Sequence, residues 1–275
     1  MSLSLIREWV SYGGNNRFTG YAARLQGLRE TAPAVIVLQE IWGVDAHIRS
    51  VADRFAAAGY IAFAPDLFAD GGTRPEALSP DRIDLAKSFL NTLPSASWRN
   101  AGARQVALTE LPPDEARRIE ETLSRVLNLS GWRETFNEKT AAAASFLRGE
   151  HAPTLGQGVA AVGFCLGGAL AAELAAHDQE LKGAVLFYGG FPSDENAALI
   201  QAPLLGFYGE RDERITGAVP AFAELAKKQG KRYEYHVYPG AGHAFFNDSR
   251  PSYHAPSARD AYARTLGFLN LTLKG

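Results

Sequence analysis

Apolar residues in this chain fall into short unbroken runs separated by longer stretches with helical spacing. Ala34-Val35-Ile36-Val37-Leu38, Tyr60 to Ala64, Val159 to Val162, Gly183 to Tyr188 and Pro203 to Tyr208 are such runs. A β-prone apolar run of this length, bounded by turn formers, reads as a strand covered on both faces. Tyr233 to Tyr238 reads as a further strand. His47 to Ala58, Ala169 to Ala176, Val219 to Gln229 and Ser257 to Leu271 read as helices, the first stopped by Gly59. Near the start, Glu8 to Tyr12 and Phe18 to Leu25 flank Gly13-Gly14-Asn15-Asn16, which predicts an antiparallel hairpin. Strands alternating with helices predict an α/β fold with a mostly parallel sheet and helices on both faces.

The rhythm breaks at about residues 71–134, where Pro75, Pro80, Pro94, Pro112 and Pro113 interrupt two amphipathic helical stretches. Ser79-Pro80 suits the start of the first. The second would bury Ile119, Leu123, Val126 and Leu127. The segment reads as a helical insertion in a single domain spanning 1–275, either a wall or lid over a site or a surface elaboration.

Composition narrows the function classes. The chain has 275 residues, 46% hydrophobic and 21% charged, which suits one large α/β domain. A net charge of −2 gives no electrostatic case for nucleic acid or an anionic membrane surface. A single cysteine rules out an internal disulfide and fits a reducing, cytoplasmic setting. The first residues do not have the pattern of a secretory signal, and no apolar run reaches the roughly 18 residues of a membrane span. The histidines are scattered and no metal-binding motif occurs, so neither a metal nor an organic cofactor is expected.

That one cysteine carries the chemistry. Gly163-Phe164-Cys165-Leu166-Gly167-Gly168 lies between an apolar run and an alanine-rich helix. Its Gly-x-Cys-x-Gly frame is similar to the Gly-x-Ser-x-Gly nucleophile elbow of α/β-hydrolases. Glycines relieve the clashes of a sharp turn, and a helix N-terminus favours a thiolate and can bind an oxyanion. A nucleophile needs a base, and the base an orienting acid, which in that fold follow in the order nucleophile, acid, histidine. Asp212, past the strand ending at Tyr208, is the acid of choice over Glu210, and His243 in Pro239-Gly240-Ala241-Gly242-His243 is the base. His236 sits within a strand, His47 and His177 at helix ends, and His151 and His254 in polar, exposed-looking segments.

These residues, with Gln39-Glu40-Ile41-Trp42-Gly43-Val44 and Ala64-Pro65-Asp66-Leu67-Phe68, resemble the dienelactone hydrolase family. The resemblance implies an α/β-hydrolase fold and cleavage of an ester or lactone through a Cys165 acyl-enzyme. It implies His243 as base and acid, Asp212 as its orienter, and backbone N–H groups of Ile41 and Leu166 as the oxyanion hole. Glu40 would contact the resting thiol and take its proton when substrate arrives. Dienelactone-cleaving members carry an arginine where this chain has Asn247, with Arg250 nearby; no second family arginine aligns, Arg74 and Arg82 being candidates. Trp42, Tyr188 and Phe246, with Asn247 and Arg250, are candidate substrate contacts, whereas Phe187 reads as core. The expected partner is a small-molecule ester or lactone, with no nucleic acid or membrane, and the protein a monomer or homodimer. A carboxylesterase or thioesterase without lactone preference, or a non-catalytic binding or thiol redox-sensing module, are the alternatives.

Overall fold

The computed structural model describes residues 4–28, 31–94, 97–98, 100–128, 131 and 133–273. An eight-stranded sheet organises it. The strands are β1 (Leu5–Tyr12), β2 (Phe18–Leu25), β3 (Ala34–Leu38), β4 (Ile61–Pro65), β5 (Val159–Phe164), β6 (Ala184–Phe187), β7 (Leu204–Gly209) and β8 (Tyr233–Tyr238). Their order is β1-β2-β4-β3-β5-β6-β7-β8. β1 and β2 form the antiparallel hairpin, β2 joins β4 antiparallel, and every pair from β4 to β8 is parallel. All residues of β3 to β7 are buried, as an apolar run covered on both faces requires.

One face is covered by α1 (Ala46–Ala57) and α10 (Ala255–Thr272). Val51, Phe55, Ala261 and Leu269 pack there with Val35, Val37, Val162 and Val185. The alternate strand residues lie on the other face. The helix α6 (Leu166–His177) packs against β5, β6 and β3. The sequence expectations for these elements hold to within a few residues. Not foreseen were α5 (Arg133–Gly149), α7 (Asp194–Leu199) and α8 (Glu213–Thr216), which precede, respectively, β5, β7 and α9 (Val219–Lys228). The last two are too short for a period to show.

Two compact units divide the chain, one made of Met1–Leu67 with Glu134–Gly275 and the other of Phe68–Arg133. The second contains α2 (Pro80–Asn91), α3 (Ala101–Leu108) and α4 (Pro113–Leu127). Ser79 is the N-cap of α2, although its hydroxyl donates to Asp81 rather than capping a backbone N–H. Ile83, Ala86, Leu90, Ile119, Leu123 and Val126 are buried, but Leu127, expected on that face, is exposed because it ends the helix. Thr122 Oγ1 donates to the Ala77 carbonyl, and the buried Arg82 guanidinium donates to the Arg118 carbonyl and pairs with Glu121. α3 is a third helix where two were expected; its alanine-glycine start has no amphipathic stripe, and the Asn100 side chain caps it by accepting from Ala103 N.

Candidate active site

Parallel strands bring all their C-terminal ends to one edge of a sheet, and there the loops after β3, β5, β6, β7 and β8 supply Glu40, Cys165, Tyr188, Asp212 and His243. Residues separated by more than 200 positions thus converge because they share a strand end.

The elbow is as tight as its glycines suggest. Cys165 has φ 55° and ψ −110°, a left-handed conformation that L-residues adopt only when the surroundings enforce it. Its N–H donates to the Phe187 carbonyl at 2.9 Å and Gly167 N–H to that of Gln39 at 2.9 Å. A Cβ on Gly163 would lie 1.9 Å from the Gly167 carbonyl oxygen, so no other residue fits without moving the backbone. Tyr188 and Ala244 also have positive φ, at 41° and 60°, so strain gathers beside the cysteine.

His243 Nε2 lies 3.2 Å from Cys165 Sγ, and its Nδ1 lies 2.5 Å from Asp212 Oδ2. Asp212 is buried, and the acidic loop is fastened to the histidine loop: Arg211 N–H donates to the Ala241 carbonyl, and Gly240 N–H to Glu210 Oε2. Glu210, the rival acid, is exposed and serves as this tether. Burial works against a charged His243, but the charge on Cys165 and the hydrogen bond to Asp212 outweigh it and push its pKa up to about 10. A raised histidine pKa favours the folded state below about 6.5, a contribution lost as pH rises toward 10. Asp212→Asn is therefore expected to lower the imidazole titration midpoint by about one unit or more, read by NMR of labelled histidine. An unchanged midpoint would remove Asp212 from the account.

Neither the Leu166 nor the Ile41 N–H has an acceptor among the described residues. Leu166 N–H belongs to the first residue of α6, where no intrahelical partner exists.

Glu40 departs from expectation. Its Oε1 accepts from Tyr188 OH at 3.2 Å and its Oε2 from Asn247 Nδ2 at 2.9 Å, while the sulfur contact goes to His243. Burial and the neighbouring Glu40 raise the Tyr188 pKa well above its ordinary value, so the phenol stays a donor. Tyr188 also sets its ring edge-to-face with His243, centroids 5.2 Å apart. Of the candidate substrate contacts, Trp42, Tyr188, Phe246 and Asn247 are all buried. Phe246 packs on Phe164 and Phe187, the latter buried in the core as expected. Only Arg250 keeps accessible surface, its guanidinium 5.5 Å from the centre of the Trp42 ring. Burial pulls its pKa down, opposed chiefly by the Glu40 carboxylate, which is not the setting of a solvated loop arginine. Arg74 and Arg82 belong to the second unit, Arg74 with its guanidinium 6.0 Å from the Phe68 ring.

The other histidines have structural partners: His47 is buried beside Asp248, His236 bonds Glu234, and His254 bonds Ser257. His151 is buried against Phe146 and bonds Thr154, contrary to its exposed-looking sequence surroundings. The positions of Tyr188 and Asn247 as partners of Glu40 had one sequence signal, the place of Tyr188 at the end of a strand of the same parallel sheet.

Residues 18–273 match the sequence profile of the dienelactone hydrolase family. The chain belongs to that family. A Saccharolobus solfataricus relative named "putative carboxymethylenebutenolidase" is 32% identical over 243 residues, 88% of this chain and 90% of its own. One of the same name from Escherichia coli is 33% identical, covering 90% of this chain and 79% of its own. The crystal structure of a Klebsiella pneumoniae "putative dienelactone hydrolase" superposes with a TM-score of 0.65 at 27% identity, covering 97% of this chain and 99% of that one. The dienelactone hydrolase of Anabaena variabilis, 14% identical with a TM-score of 0.63, shares the fold, over 98% of this chain and 99% of its own. This chain is a hydrolase of the dienelactone hydrolase type on an α/β-hydrolase fold. Among the described residues no helix is long and apolar enough to cross a membrane.

Proposed function

We propose that this dienelactone hydrolase family member cleaves a small carboxylic ester or lactone through a thioester on Cys165, with a Cys165-His243-Asp212 triad. The observation that carries it is the unbroken chain of contacts from sulfur to imidazole to buried carboxylate. The Cys165 thiolate attacks the carbonyl carbon, and the oxyanion accepts from the N–H groups of Leu166 and Ile41. As the tetrahedral species collapses, the carbon–oxygen bond breaks and His243 Nε2–H gives its proton to the leaving alkoxide. Water then attacks the thioester while Nε2 takes one of its protons, releasing the acid and restoring the thiolate. Asp212 holds Nδ1–H and favours the imidazolium throughout. The test is whether a mass adduct of the acyl group appears on Cys165 and whether turnover requires that sulfur.

The burial of Asn247 on Glu40 favours an enzyme less tied to substrates bearing a carboxylate than the dienelactone-cleaving members. Arg250 is the residue able to meet a substrate carboxylate. Arg250→Ala is expected to raise KM for esters carrying a remote carboxylate about tenfold, a loss of about 1.4 kcal/mol, and to leave neutral aryl esters within twofold. Equal losses on both would assign Arg250 to structure.

A further inference from the structure

The buried Glu40 carboxylate is fastened on both oxygens. Tyr188 holds Glu40 Oε1 and Asn247 holds Oε2. Asn247 is itself fixed, fully buried, with Oδ1 accepting from Ser249 N–H at 3.0 Å and Ser249 Oγ–H at 2.6 Å. These donors settle the amide's orientation: a flip would set its NH2 group against two donors and its oxygen against a carboxylate. The same residue shapes the turn that carries Arg250, whose N–H donates to the Asn247 carbonyl at 3.1 Å.

We infer that Asn247 is a positioning residue that pins Glu40 as a stationary carboxylate, so that His243 alone accepts the Cys165 proton and no substrate carboxylate is needed to activate the thiol. This rests on the reading of Cys165 as nucleophile. A carboxylate free to swing could trade places with an incoming anion. One tied by a buried amide, which is anchored by a serine two residues on, cannot leave without stranding a donor. Glu40 and Cys165 act electrostatically on both Tyr188, after β6, and Arg250, on the loop before α10, and Asp45, which caps α1, acts on Arg250. His243, after β8, touches both Cys165 and the Tyr188 ring.

The single cysteine makes the test direct: the rate of Cys165 alkylation by neutral iodoacetamide, followed against pH, with kcat/KM on a neutral aryl ester. Asn247→Leu and Asn247→Asp are expected to move the acid limb of the alkylation profile by about half a pH unit or more and to lower kcat/KM about tenfold. In a Glu40→Gln background the same substitutions are expected to change either quantity less than about twofold, because Asn247 acts through Glu40. Equal losses in both backgrounds, or an unmoved acid limb in a variant that melts like the wild type, would overturn the inference. Asn247→Asp keeps the acceptor for Ser249 and so gives the answer if the leucine variant misfolds. Coupling between Asn247 and Glu40 in alkylation, together with ester turnover that survives loss of the Cys165 sulfur, would instead defeat the proposed function and leave the positioning role standing.

Discussion

Cys165→Ala is expected to lower kcat for ester hydrolysis by roughly 10,000-fold or more, about 5.5 kcal/mol of barrier, with little change in melting temperature. The size follows from the chemistry. Without sulfur, His243 and Asp212 have no nucleophile to serve, and only the oxyanion donors and substrate binding remain. The stability expectation follows from the site: Cys165 is only partly buried, and the elbow is held by backbone bonds to Phe187 and Gln39 that alanine keeps. Removing the side chain cannot relieve the positive φ, so the turn keeps its shape. Hydrolysis and mass spectrometry with the same aryl ester decide it. Wild-type turnover accompanied by an acyl adduct that Cys165→Ala lacks is the expected result; equal rates in the two proteins would end the thiol mechanism.

Gly167→Ala is expected to destabilise the protein by about 3 kcal/mol, lower its melting temperature by roughly 5–10 °C and depress activity with it. The new Cβ would lie 2.2 Å from the Leu38 carbonyl oxygen and 2.7 Å from that of Gln39. Those are backbone atoms at the end of β3, and no side-chain rotation can clear them. Relief requires α6 to move off β3, which lengthens the bond from Gly167 N–H to Gln39 and shifts Glu40 and Ile41, the next residues along. A methyl group here therefore acts on stability and on the site through one displacement. Gly267→Ala is the control, since that exposed glycine in α10 has no atom within 4 Å of its would-be Cβ and alanine favours a helix. Calorimetry showing Gly167→Ala as stable as Gly267→Ala would contradict the close approach of helix and strand.

Much of this is legible in the sequence. The five-residue run Ala34 to Leu38 cannot form a solvent-facing strand, and a cysteine between glycines at the head of an alanine-rich stretch leaves few conformations open. The strand ends of a parallel sheet share an edge, so order along the chain stands in for proximity in space, which brings Asp212 and His243 to Cys165. Where the sequence was misleading, the cause was an unseen neighbour. His151 has polar residues beside it in the chain, yet Phe146 and Thr154 bury it. Nothing in the sequence next to Arg250 shows that its guanidinium lies over the Trp42 ring and near the Glu40 carboxylate.

Local sequence determined the strands, the hairpin and the elbow, since each depends on steric rules and periodicities acting over a few residues. Tertiary structure alone decided what holds Glu40. Its partners lie 148 and 207 positions away, and a carboxylate's role depends on which donors reach it rather than on its neighbours in the chain. Asn247, which stands where dienelactone-cleaving members carry arginine, read as a candidate substrate contact; folded, its amide donates to Glu40.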